Sequence, residues 1–182
     1  YGLNYAPEPV GIGKYSGELG SWLATRGHNV RSIAAPPYFP SWRIDPGHRN
    51  CYLVEIIDGV RVQRCPLYIP RRPSGFTRLL HLISFALSSF KPLLAQRFWR
   101  PDVVITVAPA FFCAPGALLL GRFCGRRTIT WLHIQDFELD AAFELGILKG
   151  QMLRSLAERW ERRTLQRFER VSSISTAMVR RL

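Results

Sequence analysis

An α/β fold, a mainly parallel sheet with helices on both faces, is what this sequence predicts. Three observations carry the prediction. Stretches with strand character alternate with stretches of helical periodicity along most of the chain. Asp102 to Val107 is a nearly continuous apolar, β-branched run, as strands covered on both faces are. Near the start, Gly11-Ile-Gly-Lys-Tyr-Ser-Gly-Glu-Leu19 reads as a glycine-rich loop opening a helix.

The elements follow in order. Tyr1 to Pro9 reads as a loop held extended by Pro7 and Pro9. The first helix carries Leu19, Trp22 and Leu23 at helical spacing and stops at Gly27. Asn29 to Ala35 is a buried strand, broken by Pro36 to Pro40, and Trp42 to Asn50 is irregular. Cys51 to Ile57 and Val60 to Cys65 flank Asp58-Gly59, a hairpin signal. After the proline-punctuated segment Pro66 to Pro73, Ser74 caps a long apolar helix that Pro92 is expected to kink. The strand at Asp102 to Val107 is followed by a helix from about Phe112 to Cys124, then by a strand over Arg127 to His133. A short helix is expected at Ala141 to Leu148 and an amphipathic one at Gln151 to Phe168. Val171 to Ile174 is the last strand, and Ser175 caps a final helix.

Composition bounds the function. At 182 residues and 47% apolar content the chain can bury the core of one domain. A net charge of +12 implies an anionic partner or surface. Basic charge occurs here without a nucleic-acid recognition motif, so no nucleic acid is expected as a partner. The cysteines at 51, 65, 113 and 124 form no CxxC pair and no zinc spacing with histidine; they are expected to be reduced, buried thiols of a cytosolic protein. No signal peptide is visible. The uncharged run Val103 to Gly121 is long enough to raise a transmembrane reading, but Pro109, Pro115 and Gly116 favour a strand, a loop and a buried helix.

The glycine stretch suits a phosphate, because the first amides of a helix are unpaired and carry the positive end of its dipole. A turn whose glycines serve only packing is the other reading. A Walker loop is excluded because Lys14 is followed by Tyr15. A dinucleotide fingerprint fails at Ser16 and for want of an acid after Ala35. Gly11, Ile12, Gly13 and Lys14 are therefore candidates for holding a phosphate.

The second informative stretch is Trp131-Leu-His-Ile-Gln-Asp-Phe-Glu-Leu-Asp140, where His133, Asp136, Glu138 and Asp140 cluster as a strand ends. A histidine beside a carboxylate can move a proton, orient a hydroxyl or contact a sugar. Acids complementing a helix N-terminus are the plainer explanation of Glu138 and Asp140, and the functional reading centres on His133 and Asp136. With one local histidine and no ligand spacing, no metal site is expected. Arg154, Arg159, Arg162, Arg163, Arg167 and Arg170 are explained as a solvated helix face. Arg71, Arg72 and Arg78, beside a very apolar helix with Arg97-Phe-Trp-Arg100 beyond it, suit a membrane interface or the acceptor side of a site, with core packing as the alternative for the helix.

The segment from Asn4 to Leu19 resembles the opening of family 4 glycosyltransferases, in particular the bacterial branch that makes colanic acid and other exopolysaccharides. Pro101-Asp102, Trp131-Leu-His-Ile-Gln-Asp136 and Val171-Ser-Ser-Ile-Ser-Thr-Ala-Met178 fall in matching order, so the likeness covers nearly the whole chain. The resemblance implies the N-terminal, acceptor-side half of a Rossmann-like GT-B fold, spanning residues 1–182, with the first strand largely missing and the C-terminal donor-binding domain absent. The opening at Tyr1 and the close at Leu182 agree with a piece of a longer protein, inactive alone. It further implies that Gly11 and Gly13 lie near a donor diphosphate, and that His133 faces the donor sugar with Asp136 beside it. Glu161 and Glu169 have the Glu-x7-Glu spacing of the donor domain but sit outside its context, and they are assigned no catalytic role.

The resulting expectation is a retaining, metal-independent transfer from a nucleotide sugar to a lipid-linked or saccharide acceptor, with the donor as substrate and no cofactor. The enzyme would sit in the cytoplasm, peripheral on the inner face of the plasma membrane, against anionic lipid. The alternative is a non-catalytic membrane-surface binding domain with a Rossmann-like fold.

Overall fold

The computed structural model describes residues 1–108, 111–125, 127–136 and 151–180. Helix α1 spans Gly11–Thr25, followed by strands β1 (Arg31–Ala34), β2 (Leu53–Ile57) and β3 (Val60–Arg64). Helix α2 (Gly75–Ala95) leads to β4 (Val103–Ala108), α3 (Ala114–Cys124) and β5 (Ile129–Ile134). Helix α4 (Gln151–Leu165), β6 (Arg170–Ser173) and the short α5 (Thr176–Val179) complete the described chain. The helix expected at 141–148 lies outside the described residues.

Two three-stranded ladders form, β1-β3-β2 and β4-β5-β6. All neighbours are parallel except the β2–β3 hairpin. At its turn Asp58 and Gly59 both take positive φ, 50° and 80°, as the tightest hairpin loop requires. Tyr1 to Leu3, expected to be part of a loop, is instead extended and lies between the ladders. Gly2 donates to Ile33 O and Ala35 to Leu3 O on one side; on the other, Val107 donates to Tyr1 O and Gly2 pairs in parallel with Val107. These three residues supply the centre that the expected missing strand would occupy.

Helices cover both faces. Successive strand residues point to opposite sides, and β1 shows it. Ile33 joins the larger core with Phe85 and Leu93 of α2, Leu120 of α3 and Leu132 of β5. Ala34 joins Tyr5, Val60 and Val62 in a smaller core, against which Ala24 of α1 packs.

The buried face of α1 is not its apolar one. Gly13, Gly17 and Gly20 face inward, while Leu19 and Trp22 stand exposed. A Cβ at Gly17 would come within 2.7 Å of Ala6 Cβ, and one at Gly20 within 2.1 Å of the Tyr5 hydroxyl, so small residues set how closely α1 lies on the preceding chain. The cysteine expectation also needs correcting. Cys65 and Cys113 are buried, whereas Cys124 is half-buried and Cys51 is exposed just before the edge strand β2.

Helix α2 starts on a capping box between Ser74 and Thr77 and continues past Pro92. Proline has no N–H for the carbonyl four residues earlier, and that carbonyl, Ser88 O, accepts from the Tyr52 hydroxyl at 3.0 Å. Among the described residues α2 with its short extension, Gly75–Phe98, is the one helix long and apolar enough to cross a membrane. Its His81, Phe85, Ser89 and Leu93 are nevertheless buried. The run questioned as a span, Val103 to Gly121, contains β4 and most of α3.

Candidate active site

The parallel strands deliver their carboxyl ends to one rim, where ligands of such sheets sit. The chain leaving Leu3 there turns through Asn4 to Val10 into α1. Glu8 fixes this turn. It is 3% exposed, and its carboxylate accepts from Asn4 Nδ2 at 2.9 Å and from the amides of Tyr38 and Phe39 at 3.1 and 3.0 Å. Burial pushes the Glu8 carboxyl above its ordinary value, against the downward pull of these bonds and of Arg64. Arg64, 1% exposed, ties the same turn to the sheet: it donates to Ala6 O, to Ala35 O at 2.8 Å, and to Glu55 at 2.6 Å.

The first turn of α1 opens on Val10, whose side chain offers no acceptor to the helix amides, and no acid lies in that turn. Gly11 is exposed with φ 62°, a left-handed conformation that a side chain would strain. Ile12 is half-buried, and Gly13 is buried directly against Glu8. Lys14 is exposed, 3.9 Å from Glu18. Gly13 thus packs as the turn reading expects, and Gly11 stands exposed at the helix end.

His133 is the penultimate residue of β5, half-buried, in one row across the sheet with Val107 and Ser172. Gly2 pairs with that same Val107, so the turn into α1 and His133 leave from neighbouring positions on the rim. His133 Nδ1 lies 2.8 Å from the Ser172 hydroxyl, which also accepts from the indole N–H of Trp131 at 2.7 Å. Burial lowers the affinity of His133 for a proton and so favours the neutral ring. Asp136 is exposed, two residues beyond the strand. Glu138 and Asp140 lie outside the described residues. Among the described residues, no cluster of three His, Cys, Asp or Glu side chains could hold a metal ion.

Arg71, Arg72 and Arg78 are exposed around the start of α2. Arg78 lies over Trp42, its guanidinium 5.4 Å from the ring centre. Behind Trp42, His81 holds the Tyr38 hydroxyl at 2.9 Å and Tyr68 O at 2.6 Å, which fastens the 36–46 segment to α2. The outward face of α2 is apolar: Phe76, Leu80, Leu87 and Phe90 are all exposed, Leu87 at 72%. Glu169 accepts from the amide and hydroxyl of Thr130, a structural tie that accounts for it without catalysis.

Two residues escaped the sequence reading. Glu8 stood in the quoted stretch, but nothing in its spacing says that its carboxylate is buried. Ser172 lies 39 residues from His133, and only the β5–β6 register brings them together.

A model of the glycosyl transferase 4-like domain matches residues 10–182. A relative in Escherichia coli (strain K12), which carries the name colanic acid biosynthesis glycosyl transferase WcaI, is 50% identical over 182 residues. That alignment covers 98% of this chain and 44% of the relative, so the chain spans less than half of that protein's length. No solved structure matches. With both motif-bearing stretches inside the match, the chain belongs to the family of glycosyl transferase 4-like domains.

Proposed function

We propose that the full-length protein transfers a sugar from a nucleotide-sugar donor to a lipid-linked or saccharide acceptor during assembly of a cell-surface polysaccharide. The observation that carries this reading is the 50% identity, over almost the whole chain, to a relative named for colanic acid biosynthesis. In it this chain is the acceptor-side domain. The N-terminal turn of α1, at Gly11, Ile12, Gly13 and Lys14, lies against the donor diphosphate contributed across a cleft by a second domain. His133 faces the donor sugar with Asp136 near it. The reaction retains the anomeric configuration and needs no metal or cofactor.

The rim geometry supports these roles. Uncapped helix amides are suited to a diphosphate, and a neutral, partly buried imidazole is suited to hydrogen bonding a sugar hydroxyl. The outer face of α2 supports a location at the membrane. Apolar side chains flanked by Arg71, Arg72 and Arg78 match the interface of an anionic leaflet, where a lipid-linked acceptor would be presented.

The test is sugar transfer by the full-length protein from a panel of radiolabelled nucleotide sugars into the lipid fraction of bacterial membranes, with and without EDTA. One donor should label that fraction, EDTA should leave the rate unchanged, and His133→Ala should cut kcat by roughly a hundredfold, about 3 kcal/mol of lost transition-state hydrogen bonding. Vesicle binding with no transfer and no donor hydrolysis would overturn the proposal in favour of a non-catalytic membrane-surface domain.

A further inference from the structure

The environment of His133 has an asymmetry that decides where its proton sits. Ser172 Oγ is 2.7 Å from Trp131 Nε1 and 2.8 Å from His133 Nδ1. An indole N–H can only donate, so the serine oxygen accepts there. The serine proton then has one recipient within reach among the described residues, His133 Nδ1. If Nδ1 carried the ring proton instead, both donors would point at one oxygen, and the hydroxyl proton would be left with no protein acceptor among the described residues.

We infer that Ser172, with Trp131 behind it, is a positioning residue that holds neutral His133 in the tautomer protonated on Nε2, so that the imidazole presents a hydrogen-bond donor at the rim. The chain of donation runs from the Trp131 N–H to the Ser172 oxygen, and from the Ser172 O–H to Nδ1. Trp131 and His133, two apart on β5, share one face of the strand, and the β5–β6 register sets Ser172 opposite His133. All three side chains are partly buried, which keeps the chain of bonds from being exchanged freely for water.

The consequence for the proposed reaction, on which this inference rests for its functional meaning, is that His133 acts on the donor sugar by giving a hydrogen bond. In this tautomer Nε2 has no lone pair with which to accept a proton. A hydroxyl or a developing negative charge on the sugar or its leaving group is what such a donor recognises.

The test is 15N NMR of the full-length enzyme labelled in its imidazole nitrogens, with His133 assigned by loss of its signals in His133→Gln. The wild type should show a protonated Nε2 and an acceptor Nδ1 above the titration of the ring. Ser172→Ala should lose that preference and give mixed tautomers, with kcat lower by about tenfold and donor KM within twofold. Ser172→Thr, which keeps a hydroxyl, should restore both. Trp131→Phe leaves the serine oxygen free to accept, and it should shift the ring toward the Nδ1-protonated form even if Ser172→Ala folds poorly. A wild-type ring protonated on Nδ1, or a tautomer unmoved in folded Ser172→Ala and Trp131→Phe, would overturn the inference. The catalytic reading fails separately: if His133→Gln keeps its kcat while the tautomer follows Ser172, His133 does not act on the sugar, and Ser172 still governs its proton.

Discussion

The Cβ that Gly13 lacks would lie 2.3 Å from Oε2 of Glu8 and 2.6 Å from its Cβ. A side chain at 13 therefore has to displace a buried carboxylate together with the Asn4, Tyr38 and Phe39 groups that bond to it. Gly13→Ala should destabilise the fold by about 1–3 kcal/mol, the usual cost of overpacking. Gly11→Ala meets nothing closer than the Phe39 ring at 3.7 Å and should cost about 1 kcal/mol, from its left-handed φ. Urea denaturation of the two variants checks the order; equal losses would remove Glu8 as the reason for a glycine at 13.

Arg64 offers a sharper measure of what holds the rim turn. Its guanidinium satisfies Ala6 O, Ala35 O and Glu55 from a nearly fully buried position. Arg64→Ala leaves those acceptors unpaired and opens a cavity, and it should cost about 3 kcal/mol or more. Glu55→Gln keeps a neutral acceptor at a partly exposed site and should cost much less. Similar losses in both would mean that the ion pair, and not the two carbonyl bonds, is what matters.

Acid should loosen the attachment of the 36–46 segment to α2. Burial lowers the proton affinity of His81 below its ordinary value of 6.5. The unfolded chain therefore takes up a proton near 6.5 while the folded chain does not. This contribution to stability is full above pH 6.5 and is lost as pH falls toward the folded value, at up to about 1.4 kcal/mol per pH unit. His133 has the same sign. Glu8, whose carboxyl is raised, has the opposite one and gains stability on acidification toward its unfolded value of 4.5. Melting temperatures between pH 7.5 and 5.5 should fall less in His81→Gln than in the wild type; parallel curves would show that His81 does not titrate on unfolding.

Membrane attachment should depend on charge and on one apolar face together. Arg71→Gln with Arg72→Gln should weaken binding of the full-length protein to anionic vesicles at low salt, each arginine supplying about 1 kcal/mol near the surface. Leu87→Asp should weaken it further without changing the melting temperature, because Leu87 is 72% exposed. Arg78 is a poorer probe, since it also covers Trp42. Unchanged cosedimentation in these variants would count against docking through α2.

Local signals were legible where the chemistry is local. Asp58-Gly59 turns as such a pair must, Ser74 and Ser175 begin their helices, and the β-branched run before Ala108 is a buried strand. The orientation of α1 was not legible, because its inward stripe is glycine and leaves no hydrophobic period, while Leu19 and Trp22 suggest the wrong side. Strand pairing at Tyr1 to Leu3 was hidden for a different reason. It depends on partners at Ile33 and Val107 that no local pattern announces. His133 could be picked out as a rim histidine, but the bond that orients it needed the β5–β6 register. The neighbouring acids at 138 and 140 lie outside the described residues.

The short stretch Tyr1 to Leu3 gives the molecule a seam with a definite order of closing. The β2–β3 hairpin is local, β1 pairs with β3 across 30 residues, and the β4-β5-β6 ladder pairs strands 26 and 39 residues apart; contacts of shorter separation form sooner. The bond from Tyr1 N to Ile105 O joins residues 104 apart. Loop closure over that distance costs about 1 kcal/mol more than over the 39 residues between paired positions of β5 and β6. Gly2 and Ile33 are only 31 residues apart, so Tyr1 to Leu3 should join β1 with the first ladder, and its docking on β4 is the late event that makes one sheet and brings the turn into α1 beside His133.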